Sequence, residues 1–388
     1  MLSKKRIREE SDLKLTAEHT SITNAIRVCL KKNLVFAAYR LPNRSEAEIV
    51  IQKSGNKKLI AKDDSYYDLK GFLVAPFSES KCCPAFVIAP DIYAKSQLSP
   101  EQYRVLEQLA AVPIQSDTSH TPEEVLHSDY LLQINHILDK IETGEFEKVV
   151  LSRVKLMNGN YISKLSHIFS ALTEAYPNAF VFIFNAGPHL WIGATPEPFL
   201  TAVNGSMQTV SLAGTRTYTQ QNLNIGAWNS KERLEQEYVT RYISKVLSKF
   251  NLVEVCLEGP YTKQAGNLVH LRTDFSFRAE ELKDCLGEFL NNLHPTPAVC
   301  GMPRKQSLEL ILDLEKHSRE YYAGYLGPVG LNDRLSLFVN LRCMKVLQDN
   351  LALFIGGGIT ADSVPEDEWQ ETEMKAETLL SVIRQVTQ

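Results

Sequence analysis

Hydrophobic positions along the chain follow two different spacings, which predict separate groups of helices and strands. Near the start, Ile22, Ile26 and Leu30 recur at helical spacing and predict a short helix within residues 1–30. Short apolar runs bounded by Gly, Asn, Pro and Ser predict strands at 34–39, 49–52, 71–76 and 85–90. The polar stretch 111–124, which contains two prolines, predicts either a boundary or a long surface loop.

Beyond this stretch, longer helical patterns separate the runs of strands. Helices are predicted at 122–143, 163–175, 230–250, 279–292, 304–314, 317–323 and 365–385. Strands are predicted at 148–156, 181–184, 190–193, 199–203, 210–213, 252–257, 268–277, 335–346 and 350–355. Because strands and helices do not alternate regularly, we expect a layered α+β fold.

Composition and charge argue against some classes of function. The chain has 388 residues, 44% of them hydrophobic, and a net charge of -4. That charge argues against a broad nucleic-acid-binding surface, which needs basic side chains to displace counterions. No window approaches the roughly 20 apolar residues of a membrane span, and the charged start MLSKKRIREESDLKL has no signal-like apolar run. We therefore expect a cytoplasmic protein with no membrane partner and no nucleic-acid partner.

The seven cysteines are irregularly spaced and form no CxxC pair. Zinc sites with thiolate ligands usually show such pairs, so this pattern predicts that the chain has no thiolate zinc site. We interpret the cysteines as buried small hydrophobic residues in a reducing compartment.

Two predicted helices carry carboxylates at a spacing that places them on one face. Glu368, Glu371 and Lys375 are separated by three and four residues, and Glu232 and Glu235 by three. Carboxylates from two helices could together hold one Mg²⁺, which prefers oxygen ligands. Spacing alone leaves open the alternative that both pairs lie on solvated helix faces.

Two further residues are candidates for acid–base chemistry. Lys148 begins the apolar strand KVVLSR, where desolvation would suit a general base, although such a lysine can also simply mark a strand end. Glu197 lies between two prolines in GATPEPF and could be a general acid in a pocket or a solvated turn residue.

Other polar and glycine-rich positions could form an anion site. Three consecutive glycines begin at Gly356, where they could bring backbone N–H groups close to an anion or form a strand–helix turn. Arg342 lies in an apolar strand, so it should pair with a carboxylate or line a pocket. Tyr322 could line the same cavity or only pack. His294 lies in a proline-flanked loop, where a buried, hydrogen-bonded histidine is the usual structure, and His270 is interpreted as structural.

Nine motifs occur in one order over about residues 120–385: FEKVVLSR, IGATPEPFL, VSLAGTR, SKERLEQEYV, HLRTDF, LHPTPAVCGMP, REYYAGYLGPVG, NLRC and GGGITADSVPEDEWQETEMK. This series resembles the chorismate-binding enzyme family, which includes isochorismate and salicylate synthases and the large subunits of anthranilate and aminodeoxychorismate synthases. The resemblance implies the fold of anthranilate synthase component I, with layered antiparallel sheets and flanking helices. Residues 1–120 would be an N-terminal scaffold portion and 121–388 the catalytic region of one integrated domain.

The resemblance also implies a role for each matching residue. Glu235 and Glu371 match the Mg²⁺ ligands. Glu232 and Glu368 match partners that either bind the metal through water or only support these ligands, and Lys375 matches a lysine near the metal. The positions matching those that bind the substrate chorismate are Gly214, Thr215, His294, Tyr322, Arg342, Gly356 and Gly358. Among these, His294 matches the family's active-site histidine.

The identity of residue 148 determines which reaction of the family the resemblance implies. Members that transfer an amine resemble GDIFQVVLS here, whereas lysine is similar to the members that use water. The implied activity is isochorismate synthesis, with Lys148 activating water for attack at C2 and Glu197 protonating the departing C4 hydroxyl. No glutamine amidotransferase subunit is expected, and the protein would be a monomer or homodimer. Salicylate synthase, an aminating enzyme and a non-catalytic relative are the alternatives.

The chain departs from the family pattern at two places. Gln236 stands where relatives usually have a histidine, and the glycine segment is GGG where AGAG is commoner. Neither change removes a group with an implied catalytic role.

Overall fold

The computed structural model describes residues 17–60, 64–113, 122–265 and 268–387, apart from the side chains at 17, 18, 215, 265 and 268. The helices are α1 (Ala17–Thr20), α2 (Ile22–Lys31), α3 (Pro100–Gln108), α4 (His127–Glu142), α5 (Leu165–Ala175), α6 (Ser230–Lys249), α7 (Leu286–Leu293), α8 (Arg304–Leu314) and α9 (Pro365–Thr387). Short 3-10 turns are at Tyr66–Asp68, Ile162–Lys164, Gln221–Leu223, Ile225–Ala227 and Ala279–Leu282.

Eighteen strands in the described part of the chain form the sheets. They are β1 (Phe36–Arg40), β2 (Ala47–Ile51), β3 (Lys58–Leu59), β4 (Gly71–Ala75), β5 (Phe86–Ile88), β6 (Ile92–Lys95), β7 (Lys148–Asn158), β8 (Phe180–Ala186), β9 (His189–Thr195), β10 (Pro198–Val203), β11 (Ser206–Thr217), β12 (Cys256–Ala265), β13 (Leu268–Arg278), β14 (Gly301–Met302), β15 (Tyr325–Leu331), β16 (Arg334–Val339), β17 (Cys343–Val346) and β18 (Asn350–Ile359).

Two nine-stranded antiparallel sheets organise the fold. The first has the order β14-β7-β18-β17-β9-β8-β1-β2-β6, and the second has the order β12-β13-β11-β10-β16-β15-β4-β5-β3. Aromatic side chains join the sheets across the main core; the rings of Phe180 on β8 and Phe338 on β16 stack with centroids 4.2 Å apart. The expected α+β fold of layered antiparallel sheets is therefore confirmed.

A second core lies on the other face of the first sheet. Apolar residues of α2, α5 and α9, including Ile26, Phe169 and Leu380, pack there against strand residues such as Ile183 and Leu353. Strands from the first hundred residues extend both sheets, because β1 pairs with β8 and β4 pairs with β15. The predicted boundary at 111–124 falls largely outside the described residues, and so do residues 1–16 of the predicted N-terminal segment.

Some predicted elements were wrong. Residues 317–323 form turns instead of a helix, and both Glu320 (φ 47°) and Ala323 (φ 58°) adopt the left-handed conformation. The strand predicted at 252–257 begins only at Cys256. Five described elements were missed: α3, the short strands β3, β6 and β14, and β15, whose glycines and proline hide its apolar pattern. Of the described helices, none has both the length and the apolar character that crossing a bilayer requires.

The glycine cluster also differs from a simple strand–helix turn. Gly356 to Gly358 continue β18 and pair with Ser152 to Val150 of β7. The strand therefore runs to Ile359, and α9 starts only six residues later at Pro365. This register places the glycines between Lys148 of β7 and the carboxylates of the two long helices.

Candidate active site

A cavity of about 190 Å³ lies where the end of β18 meets α6, α9, β11 and β13. The predicted site residues that line it are Glu197, Gly214, Glu232, Glu235, Tyr322, Arg342, Gly356, Gly358, Glu368, Glu371 and Lys375. The fold thus brings eleven of the fourteen predicted residues to one cavity, although they span 179 positions of sequence.

Helix α6 is started by a local hydrogen-bond pattern that also positions its first glutamate. The Asn229 side chain accepts from the Glu232 backbone N–H, and the Glu232 carboxylate accepts from the Asn229 N–H, which forms a capping box. Glu232 and Glu235 then follow on one face, as helical spacing requires. On α9, Glu368 and Glu371 face the same cavity.

The two carboxylates that match metal ligands are held by lysines. Glu235 accepts a hydrogen bond from Lys148 Nζ at 2.7 Å and one from the Gly214 N–H at 3.2 Å. Lys375 Nζ lies 2.5 Å from Glu371, and this contact is the largest cause of the lowered pKa of Glu371. Lys375 also donates to the Gly356 carbonyl at 2.9 Å. Both carboxylates are thereby oriented toward the cavity.

The other two glutamates have different surroundings. Arg216 holds both oxygens of Glu232, at 2.7 and 3.0 Å. Glu368 accepts from Ser363 Oγ at 2.6 Å and from Lys231 Nζ at 3.2 Å, and burial raises its pKa. Arg216 and Lys231 were missed as site residues, although both lie inside motifs of the recognised series and directly beside predicted ones.

This donor set fits a hard divalent cation in part. Glu235 and Glu371 present carboxylate oxygens to one cavity from two helices, and Glu368 lies beside them. Glu232 fits less well, because Arg216 engages both its oxygens. Within the described residues, no three of these glutamates bring oxygens within 4.8 Å of one another. An Mg²⁺ ion here would complete its coordination with water or ligand oxygens, as Mg²⁺ commonly does.

Lys148 is the first residue of β7, the strand that pairs with the glycine segment of β18. Its side chain is 1% exposed, and it reaches the cavity through its contact with Glu235 rather than by lining the wall. A Cβ on Gly358 would lie 2.7 Å from Lys148 Cε and 3.0 Å from a Glu235 oxygen. Only glycine at position 358 leaves room for this pair.

Glu197 lies on the cavity wall at the turn between β9 and β10. Burial raises its pKa to about 7, against the opposing attraction of Lys148 and Arg342. A carboxyl group with this pKa is partly protonated at neutral pH, so it can donate a proton.

Arg342 is the clearest anion receptor in the cavity. Its Nη1 is buried without a hydrogen-bond partner, and burial lowers its pKa. An unpartnered buried guanidinium group is costly, and a carboxylate is its natural partner. Tyr322 lies beside it, and a Cβ on Gly356 would approach the Tyr322 hydroxyl to 2.7 Å. Glycine at 356 therefore keeps space open next to the guanidinium group.

The histidine of the cavity is His270 and not His294. His294 is packed among the rings of Phe77, Phe199 and Tyr325, does not line the cavity, and has its pKa lowered to about 3 by burial. His270 on β13 lines the cavity, with Nδ1 2.9 Å from the Gly214 carbonyl oxygen. Burial lowers its pKa to about 4. The active-site role that the resemblance implies for His294 stays a prediction, and the contact of His270 with Gly214 agrees with the structural role expected for His270.

The backbone conformation and surroundings at position 214 require glycine. Its φ is 71°, and a Cβ there would come within 3.0 Å of Glu232 Cβ. The predicted neighbour Thr215 continues β11 in its backbone, but its side chain lies outside the described residues. Gln236, which departs from the family pattern, is buried and donates to Ser211, Thr240 and Thr273.

The fold thus brings acidic residues of two helices, an arginine with one unpartnered nitrogen and a buried lysine–glutamate pair together at one cavity. The chain belongs to the chorismate-binding enzyme family, whose model matches residues 89–384.

Comparison with individual proteins agrees with this assignment. The chain is 26% identical over 319 residues to the vibriobactin-specific isochorismate synthase of Vibrio cholerae, covering 80% of this chain and 78% of that protein. It is 30% identical over 247 residues to isochorismate synthase EntC of Escherichia coli, covering 62% and 63% of the two chains. The structure of MenF, the menaquinone-specific isochorismate synthase from Escherichia coli, matches with a TM-score of 0.73 at 20% identity, covering 92% and 91%.

Proposed function

We propose that this protein is an isochorismate synthase that converts chorismate to isochorismate with Mg²⁺ as cofactor. The observation that carries the proposal is that Glu197, with its raised pKa, shares one cavity with Arg342, whose Nη1 has no hydrogen-bond partner. Lys148 reaches the same cavity through its contact with Glu235. The names of the relatives support this product class. The lysine at position 148 supports water as the nucleophile, since aminating members resemble a glutamine there.

Recognition of the substrate would rest on its two carboxylates. The Arg342 guanidinium group and the Tyr322 hydroxyl would hold the pyruvyl carboxylate, in the space that Gly356 keeps open. The ring would lie above Gly214, whose N–H is already engaged by Glu235. Magnesium, held by Glu235 and Glu371 when bound, would supply positive charge opposite the ring carboxylate.

The chemistry would need one base and one acid. Lys148 Nζ takes a proton from water as the water oxygen bonds to C2. The ring double bonds shift, the C4–O bond breaks, and Glu197 gives its proton to the departing hydroxyl, which leaves as water. Lys148 acts as the neutral amine, and return of its acquired proton to the Glu197 carboxylate through solvent restores both groups. One water enters and one leaves, so chorismate and isochorismate are isomers and no other reactant is required.

Product analysis tests the proposal. Purified protein with chorismate and Mg²⁺ should form isochorismate without ammonia, chelation with EDTA should stop the reaction, and added Mg²⁺ should restore it. The products are separated by chromatography. Adding ammonia or glutamine serves as the control and should leave the product unchanged.

Two other outcomes would contradict the proposal in different ways. Salicylate together with pyruvate would mean that elimination follows isomerisation in this cavity. An aminated product that appears only with ammonia would mean that water is not the nucleophile.

A further inference from the structure

A second group of potential metal ligands lies away from the carboxylate cavity. Cys83, His189 and Glu320 each offer one ligand atom, and these atoms lie within 4.8 Å of one another. They come from three separate segments: the loop between β4 and β5, the first residue of β9, and the turns before β15. All three residues are buried, with at most 6% of their surface exposed. Three distant segments therefore converge on one enclosed point.

Two of these ligand atoms have no hydrogen-bond partner. His189 Nδ1 and Glu320 Oε2 are both buried without a hydrogen-bond partner, and they lie 3.6 Å apart, within ion-pair distance but beyond hydrogen-bond distance. The other Glu320 oxygen accepts from Lys345 Nζ at 2.8 Å, and the His189 ring packs edge-on against Tyr321. Since buried polar atoms rarely remain unsatisfied, this pair points to a bound group.

We propose that Cys83, His189 and Glu320 bind one Zn²⁺ ion. Bonds of about 2.0–2.2 Å to nitrogen and oxygen in a tetrahedron place two ligand atoms roughly 3.3–3.6 Å apart, in agreement with the His189–Glu320 separation. A thiolate with imidazole and carboxylate selects zinc over Mg²⁺ or Ca²⁺. Water takes the fourth position. The lack of a CxxC pair predicted no thiolate zinc site, but a site with a single cysteine needs no such pair.

The surroundings of the ligands are consistent with this role. Lys345 fixes one oxygen of Glu320 and leaves the other directed at His189, which is how partners of ligating carboxylates orient them. Burial raises the pKa of the Cys83 thiol to about 12, so the ion must displace its proton. Binding therefore exchanges one thiol proton for the metal.

The zinc site would influence the carboxylate cavity through the polypeptide segment that joins them. Glu320 and Tyr321 directly precede Tyr322, which lines the carboxylate cavity. An ion joining Glu320 to His189 and Cys83 would anchor these turns to two other segments. Zinc would thus stabilise the position of Tyr322 in the cavity wall without contacting the substrate.

Cobalt(II) provides a spectroscopic probe of the thiolate, since it takes tetrahedral sites that suit zinc. Metal-free full-length protein titrated with Co²⁺ should show a thiolate-to-cobalt charge-transfer band that saturates at one equivalent and disappears when Zn²⁺ is added. The Cys83→Ser variant should lose the band. The matched control Cys82→Ser, at the exposed neighbouring cysteine, should keep it. Glu371→Gln should also keep it, because metal in the carboxylate cavity has no thiolate ligand.

Three outcomes would overturn the proposal. If the wild-type protein shows no thiolate band, no metal binds at Cys83. If the band survives in Cys83→Ser or vanishes in Cys82→Ser, the thiolate that produces it is not Cys83. Circular dichroism establishes that the variants are folded. If Cys83→Ser does not fold, Glu320→Gln decides: its zinc content after gel filtration should fall at least tenfold below one ion per chain, and an unchanged content contradicts the site.

Discussion

Replacing Lys148 with alanine should lower the turnover of chorismate by about 10²–10⁴-fold, the usual contribution of a positioned general base. The side chain is buried and its Nζ contacts Glu235 on the cavity wall. Without it, no described group occupies the same position to take the proton from water. Steady-state rates of isochorismate formation measure the effect, with circular dichroism to establish folding.

Two further variants distinguish the loss of the Lys148 base from the loss of its contact with Glu235. Lys148→Gln keeps a donor for Glu235 but cannot accept a proton, so it should be as inactive as the alanine variant. Lys155→Ala alters a lysine of the same strand that pairs with Glu373 at 2.6 Å, outside the cavity, and should retain wild-type turnover. Turnover in Lys148→Ala within twofold of wild type would remove Lys148 from the mechanism.

Glu197→Gln should have a comparable effect on turnover, about 10²–10⁴-fold, because the amide has the same shape but no acidic proton. The pKa of Glu197 is raised to about 7, so its protonated fraction falls as pH rises through that value. Wild-type kcat should therefore decline on the alkaline side of about pH 7, and this decline should be absent from the residual activity of the variant.

Stability provides the check on that variant. A carboxyl group whose pKa is raised by folding binds its proton more tightly in the folded state, so its ionised form costs stability above the unfolded pKa. Removing it should leave the unfolding temperature at pH 8 unchanged or higher. Exposed Glu377, which pairs with Arg384 on α9, is the control as Glu377→Gln. An alkaline decline that persists unchanged in Glu197→Gln would assign the titration to another group.

Local spacing predicted that the glutamates of each long helix share one face, but not that these faces line a cavity. The i, i+3 pairs of Glu232 with Glu235 and Glu368 with Glu371 lie on one face of α6 and α9, because helical geometry leaves no other arrangement. Arg342 was also predictable as a cavity residue, since a guanidinium group in apolar sequence must find a partner or line a pocket. The single strand predicted at 335–346 was wrong, because Arg342 has a left-handed φ of 48° and lies in the bend between β16 and β17. That the two helices converge depends on the order of strands in both sheets, which spacing does not reveal.

The features that the sequence did not reveal depend on tertiary packing. His294 and His270 both lie in apolar sequence, and only the tertiary structure shows that His270 lines the cavity while His294 packs among three aromatic rings. The turns at 317–323 contain helix-forming residues, but the buried Lys345–Glu320 contact and the left-handed φ of Glu320 override that local preference. The lysine–glutamate contact joins residues 25 positions apart.

The origin of the oxygen at C2 tests the central claim most directly. The reaction is run with chorismate and Mg²⁺ in isotopically labelled water (H₂¹⁸O), and the isochorismate is analysed by mass spectrometry. If water activated at Lys148 attacks C2 while the C4 hydroxyl leaves, each product molecule should carry one labelled oxygen at C2. Isochorismate that forms at the same rate without label would show that the original hydroxyl is transferred, which would contradict this account.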